Sequence, residues 1–479
     1  MAPKRTTEID GNGYNSHDVP LNSQDRPTSP LVSVPRGPPE LDLSRFQDES
    51  IITRDVCIIG GGSAGTYAAI RLRQMNHSVV LVEKEDHLGG HVNTYDDPET
   101  ETAVDYGVLY YENLPVVRDY FDHFDIELEK ISILEQNSTQ HRVDLRTGAP
   151  VGPAEGNMLL ALAAYTAQLL KYPYLNTGFN LPYPVPPDLL LPFGDFVKKY
   201  NLEGAVDIIA MFNQGAGDIL KQTTLYMLKY FGLDVVQSAL GGFLIPASHN
   251  NSELYGAARE ELGEDVLLNS IVTYTYRNEE REYAYAVVET PSGAKVIRAR
   301  KLIIAIPPRL DLLKGMDLDE LERGLFGQFN NTCYYTALAR IPGFPEDIQI
   351  VNRATDTVYQ LPPQPAVYVI NTTRAPRLFT ILYGSKDHMT EAEVKGNMAR
   401  SVMQLRNTGL QVEPPEFVQY ADHSPFLLTV PPDAIRNGFY RHLNDLQGHR
   451  KTYYMSATLN TQASAQIWSF IDGLLHTSF

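Results

Sequence analysis

Apolar positions along the chain follow two rhythms. Asp55-Val-Cys-Ile-Ile59 and Ser78-Val-Val-Leu-Val-Glu83 are short continuous apolar runs, the pattern of strands buried on both faces. Between them lie Gly60-Gly61-Gly62-Ser63-Ala64-Gly65 and a helix-like stretch, 66–74. Strand, glycine turn, helix and strand within about 30 residues predict one βαβ unit. Helical spacing returns over 154–171 and 193–240, on either side of a Pro- and aromatic-rich segment, 172–192. From residue 270 the period becomes two. Segments 270–277 and 283–289 alternate, Pro291-Ser-Gly293 makes a turn, and 294–306 runs back into a buried sheet. Pro307-Pro308 ends that strand because neither residue has an amide to donate. Near the C-terminus 451–455 is strand-like and 463–475 helical, with Ala463, Ile467, Phe470, Ile471 and Leu474 on one face. Residues 1–49 are polar, hold seven prolines and show no period, so a flexible tail is expected there.

The glycine spacing changes this outline into a chemical expectation. In Gly60-x-Gly62-x-x-Gly65 the first glycine permits a tight turn, the second lets backbone approach a pyrophosphate, and the third lets helix and strand pack closely. The helix that opens at Ser63 and Ala64 turns its amides and positive dipole end towards phosphate. Glu83, with Lys84 beside it, closes the second strand where an acid accepts hydrogen bonds from ribose hydroxyls. Gly61-x-Ser63-x-Gly65 also fits a hydrolase nucleophile elbow, but it falls on the first recognisable strand and phosphate binding accounts for the same glycines. His87 and His91 stand four apart, yet Leu88-Gly89-Gly90 between them breaks a helix and no further ligand completes a metal set, so no metal is expected.

The second glycine pair carries a resemblance. Gly89-Gly90-His91-Val-Asn93-Thr94 resembles the Gly-Gly-Arg-x-x-Thr signature of the flavin amine oxidase superfamily, with His91 in the place of Arg. Val104-Asp105-Tyr106-Gly107 resembles that superfamily's next flavin-contacting stretch, 263–272 its segment with a Val at the adenine end (here Val272), and Ala305-Ile-Pro-Pro308 its strand end. Leu189-Leu-Leu-Pro-Phe193, Tyr454-Met-Ser-Ala457 and Gln466-Ile-Trp468 are most similar to the branch of β-cyclopiazonate dehydrogenase-like proteins and polyunsaturated fatty acid double-bond isomerase.

The resemblance implies an α/β fold with a Rossmann-like FAD-binding domain (50–130, 252–310 and 440–479) interleaved with a mixed α+β substrate domain (131–251 and 311–439). It places Ser456, Ala457 and Thr458 in a turn near the flavin and aims the last helix at the flavin's pyrimidine end. No Ser-Gly-Gly-Cys stretch stands near the C-terminus, so FAD is expected to be non-covalent; the segment where amine oxidases carry a flavin-facing Lys, Asn331-Thr-Cys-Tyr-Tyr-Thr-Ala-Leu338, has none. The implied activity is oxidation of a small hydrophobic molecule by hydride transfer to flavin N5, with O2 able to reoxidise the cofactor. Two alternatives stand beside it: a redox-neutral double-bond isomerase and a non-catalytic dinucleotide-binding protein. Tyr334, Tyr335, Tyr383 and Tyr440 are pocket candidates, whereas Lys221 and Lys229 are expected on solvated faces.

Composition adds limits. The 479 residues include 40 Lys plus Arg and 58 Asp plus Glu, a formal charge of −18, which disfavours nucleic acid or an anionic membrane as partner. Cys57 and Cys333 cannot form a disulfide framework. The most apolar segment, 158–170, is too short to span a membrane, and the opening residues lack the apolar stretch of a secretory signal, so a cytoplasmic location is expected.

Overall fold

The computed structural model describes residues 47–132 and 139–479, all within one compact unit. The expected tail lies almost entirely outside the described residues; Asp48–Ser50 form a 3-10 turn that leads into the first strand.

Strand β1 (Ile51–Ile59), helix α1 (Ser63–Gln74) and strand β2 (Val79–Val82) form the βαβ unit. β1 begins earlier than its apolar run because Ile51 to Arg54 pair with Val296 to Ala299 of the long strand Gly293–Ile304. Ile51, Ile52 and Arg54 are half-buried and Thr53 is exposed, so they lack the continuous apolar signature of Val56 to Ile59. β1 lies parallel between β2 and Gly293–Ile304; Val266–Leu267 extends the sheet beyond β2, and Thr452–Tyr454 pairs parallel with the end of the long strand. The meander is present as Ile271–Tyr276, Ala284–Thr290 and Gly293–Ile304, each antiparallel to the next. Its last segment is one continuous strand of 12 residues.

A second seven-stranded sheet runs, in order, Glu416–Asp422, Cys333–Arg340, Leu378–Ser385, Ala366–Thr372, Ile348–Asn352, Thr139–Asp144 and Ala149–Pro150. The helical region expected over 193–240 is four short helices, Phe193–Tyr200, Val206–Phe212, Thr224–Tyr230 and Leu233–Gly241. The C-terminal helix, Ser464–Ser478, packs on α1 with Tyr67 stacked on Trp468 at 5.5 Å and Arg71 paired with Asp472 at 3.0 Å. Among the described residues no helix is long and apolar enough to cross a membrane.

One ionic cluster fixes the strand that delivers the C-terminal turn. Arg277 is 2% exposed and donates to Asp317 Oδ1 at 2.8 Å and to both Glu322 oxygens at 2.7 and 2.9 Å. It also reaches Thr452 Oγ1 at 3.1 Å, and the Tyr454 hydroxyl donates to Glu322 at 2.6 Å. Arg277→Met leaves two buried carboxylates under-compensated, and breaking such a pair costs about 3–5 kcal/mol. Urea unfolding should show that loss as a lower midpoint with an unchanged slope.

Candidate functional site

The glycine loop is shaped by close backbone approach. Gly60 has φ +104°, and a Cβ on Gly65 would stand 1.8 Å from the Gly60 carbonyl oxygen. Gly89 N–H donates to Gly61 O at 2.9 Å, and a Cβ on Gly90 would come within 3.0 Å of Gly62 Cα. The two glycine clusters therefore lie directly against each other. Glu83 directly follows β2 and is buried, its Oε2 accepting Gly61 N–H at 2.6 Å and its Oε1 accepting Glu85 N–H at 2.9 Å. A carboxylate offers about four acceptor positions, so two remain for ribose hydroxyls. Ser270 N–H donates to Glu83 O at 2.9 Å, which brings the segment leading to half-buried Val272 beside it. Lys84 is exposed and pairs with Glu85 at 2.9 Å.

Two helix N-termini meet here. α1 starts after Gly62 with no side-chain cap and no acidic residue in its first turn, and its first intrahelical bond is Thr66 N–H to Gly62 O. The amides of Ser63, Ala64 and Gly65 therefore have no partner within the helix. Ser464–Ser478 begins in the same way, after Ala463. Ser63 Oγ donates to Ser464 Oγ at 2.9 Å, and Trp468 Nε1 donates to Ser63 O and Oγ at 3.2 and 3.0 Å. The Ser63 side chain is thus engaged by the last helix, which argues against a nucleophile and leaves its amide for an anion.

Thr94 Oγ1 donates to Asp105 at 2.5 Å and accepts from Ser252 Oγ at 2.8 Å. Burial pushes Asp105 up to about 7, against the opposing hydrogen bonds from Thr94 and Asn251. Tyr106 is buried, and Gly107 passes so near His91 that a Cβ would stand 1.9 Å from the His91 carbonyl oxygen. Ser456 and Thr458 are buried around the 3-10 turn Ala457–Leu459. The buried Ser456 Oγ and Gln466 Oε1 have no hydrogen-bond partner.

A cavity of about 1030 Å³ adjoins these elements, lined by His91, Gly107, Glu112, Tyr334, Phe426 and Ser464 among others. His91 stacks on His423 at 4.4 Å, and Tyr334 lies 5.0 Å from Phe426. His91 fronts the cavity, yet protein atoms crowd it enough that desolvation lowers its pKa to about 4; burial also holds His423 well below its ordinary value. Both rings are neutral near pH 7.

Three of the four candidate tyrosines do not line this cavity. Strand side chains alternate, so Tyr335 and its cross-strand partner Tyr383 face the opposite side from Tyr334. There Tyr335 accepts Met389 N–H at 2.9 Å, and Tyr383 accepts from Asn397 at 2.7 Å. Tyr440 is stacked on Phe179 at 3.9 Å and donates to the Tyr226 hydroxyl at 2.8 Å. The cavity face instead carries Tyr334, Tyr368, Val351, Val369 and Leu382.

Lys229 also departs from expectation. It is 5% exposed, with its ammonium donating to Leu175 O at 2.6 Å, Gly178 O at 3.1 Å and Asn460 Oδ1. Burial lowers its pKa to about 7. Asn460 in turn donates to Gln466 O at 2.6 Å, so Lys229 ties Thr224–Tyr230 to the turn before the last helix.

Residues 58–124 match the family described as NAD(P)-binding Rossmann-like domain. Over 456 residues the chain is 40% identical to FAD-dependent oxidoreductase oblC of Cochliobolus heterostrophus, covering 92% of this chain and 94% of that protein. The chain belongs to this family of FAD-dependent oxidoreductases. The β-cyclopiazonate dehydrogenase of Aspergillus oryzae is a further relative, 34% identical over 429 residues, with 88% and 92% of the two chains covered. The fold is that of the fatty acid isomerase from P. acnes, at TM-score 0.73 and 18% identity, with 89% and 99% covered.

For an FAD-dependent oxidoreductase the geometry fits the cofactor: two uncapped helix N-termini, glycines packed without side chains, an acid with spare acceptor positions and unpartnered polar atoms beside the last helix. Residues the sequence reading missed are Glu112, Tyr368, His423 and Phe426. Only Glu112 carried a local signal, an acid directly after Tyr110-Tyr111. Gly65→Ala forces Gly60 and α1 apart. The purified variant should bind FAD at least ~10-fold more weakly, about 1.4 kcal/mol, in a titration of flavin fluorescence.

Proposed function

We propose that the protein oxidises a small, largely hydrophobic molecule by hydride transfer from a C–H bond to a non-covalently held FAD. The observation that carries this reading is one cavity lined both by residues of the dinucleotide region (His91, Gly107, Ser464) and by the apolar sheet face (Tyr334, Leu382, Val369). A substrate resting on that face is presented to the same space that the last helix N-terminus adjoins. When bound, FAD supplies a two-electron oxidant that accepts hydride at N5.

The chain's own contributions are holding, orienting and drying. Gly60, Gly62 and Gly65 keep backbone amides clear for the pyrophosphate, and Glu83 is placed for the ribose. The N-terminus of Ser464–Ser478 favours negative charge beside its first turn. Tyr334, Phe426 and the neutral His91–His423 stack form an aromatic wall suited to a flat apolar substrate. Arg353 lines the cavity but pairs with Asp207 at 2.8 Å, so it offers no free charge for an ionic head group.

The proposal extends to O2 as terminal acceptor, to a cytoplasmic location and to a division into a cofactor domain (50–130, 252–310, 440–479) and a substrate domain (131–251, 311–439). The purified protein should be yellow, and acid denaturation should release all FAD into the supernatant. A colourless protein that stays so after incubation with FAD overturns the reading. Anaerobic addition of substrate should bleach the flavin, and air should restore it with release of peroxide. Turnover without oxygen and without bleaching would establish the isomerase instead.

A further inference from the structure

Oxidation of a substrate H–C–X–H removes a hydride and a proton. The hydride leaves carbon with the C–H electron pair; the X–H bond breaks with its pair becoming the new C=X π bond, and the proton needs an acceptor. Among the described residues, one buried carboxyl on the cavity wall has no cation paired with it. Glu112 is 7% exposed and lines the cavity. Arg118, six residues on, turns instead to Asn113 Oδ1 at 2.7 and 3.2 Å. The Gln466 side chain, in the first turn of the last helix, stands near enough to Glu112 to favour its ionised form. Ser464 and Ala463, which open that helix, line the same space.

We propose that Glu112 is the proton-accepting residue of this cavity. The proposal rests on the oxidoreductase reading: the proton from X–H passes to a Glu112 carboxylate oxygen, giving the neutral acid, as the hydride passes to the cofactor.

The surroundings tune the group for this work. Burial pushes the carboxyl up from its ordinary value to about 7, Asp234 on Leu233–Gly241 adds to the rise, and Gln466 and a backbone hydrogen bond oppose it. Asp234 is itself raised by burial and held back by Lys229 on Thr224–Tyr230. Of the other titratable groups on the wall, Tyr110, Tyr230, Tyr334 and Tyr368 are raised, His91 and His423 are neutral, Arg353 pairs with Asp207, Lys221 pairs with Asp218, and Lys386 also lines the cavity. A base works best when its pKa lies near the operating pH. Below about 7 Glu112 is mostly protonated and cannot accept; above it the carboxylate is ready.

The test compares wild type with Glu112→Gln. Infrared difference spectra across about pH 6 to 8, taken with and without FAD, should show more protonated-carboxyl signal lost from wild type than from the variant as pH rises, the Asp105 band being common to both. Photoreduction of the bound flavin in unbuffered solution, followed with an indicator dye, should take up more protons in wild type than in Glu112→Gln near pH 7. Any compound that bleaches the flavin should do so ~10²–10⁴-fold more slowly in the variant, with KM little changed. A Glu112 that titrates in the ordinary carboxylate range, or equal proton uptake by the two proteins, overturns the proposal. Failure to bind FAD sinks the oxidoreductase reading instead, and the FAD-free infrared titration still judges Glu112 separately. Should Glu112→Gln not fold, Glu112→Asp keeps a titrating carboxyl whose band must move.

Discussion

Two helix N-termini, 401 residues apart in the chain, are held side by side by Ser63 Oγ, Ser464 Oγ and the Trp468 indole. Each brings unpaired amides and a partial positive charge to the same place, so their proximity is unfavourable until an anion lies between them. The rest of the architecture serves this meeting. β1 and its glycine loop aim α1; Gly293–Ile304, with β1 on one edge, holds Thr452–Tyr454 on the other; the buried Arg277 cluster clamps that last strand; and Lys229, through Asn460, fixes the turn before the last helix.

This arrangement also explains how a chain with formal charge −18 accommodates a dinucleotide. Phosphate recognition is delegated to backbone amides, which contribute nothing to net charge. Several cations around the site are engaged elsewhere: Lys84 with Glu85, Arg71 with Asp472, Lys229 with carbonyl oxygens. Net charge bears on polyanionic partners and is silent about a ligand held by helix ends.

The βαβ unit, the meander and the last helix were legible because each depends on local spacing: glycines at 60, 62 and 65, period two from 270, period 3.6 from 463. What escaped was decided by contacts distant in sequence. Tyr334 and Tyr335 are chemically identical neighbours, and only the register against Leu378–Ser385 turns one to the cavity and the other to the core. Lys229 reads as a surface lysine until two carbonyls, Leu175 O and Gly178 O, are folded over it. His423 acquires a role only through its stack on His91, 332 positions earlier, and no spacing rule reaches that far. The break of 193–240 into four helices has a nearer cause, since Gly204, Gly215, Gly217 and Gly232 interrupt the helical spacing.

The same fold serves chemistries that differ in what happens to a proton. Moving a double bond by removing and returning one hydride is balanced within the substrate, and any acid or base on the wall is incidental to it. Net oxidation is not balanced in that way: reduction of the cofactor leaves one proton on the protein for every hydride taken, and that proton departs only when the cofactor is reoxidised. A site built for oxidation therefore needs a group that titrates near the working pH, faces the reacting space and is not committed to an ion pair. Glu112 meets those conditions, whereas Asp105, lifted to a similar pKa, is occupied by Thr94 and Asn251. On physical grounds the carboxyl in the cavity wall, rather than the shared Rossmann frame, separates the oxidoreductase reading from its redox-neutral alternative.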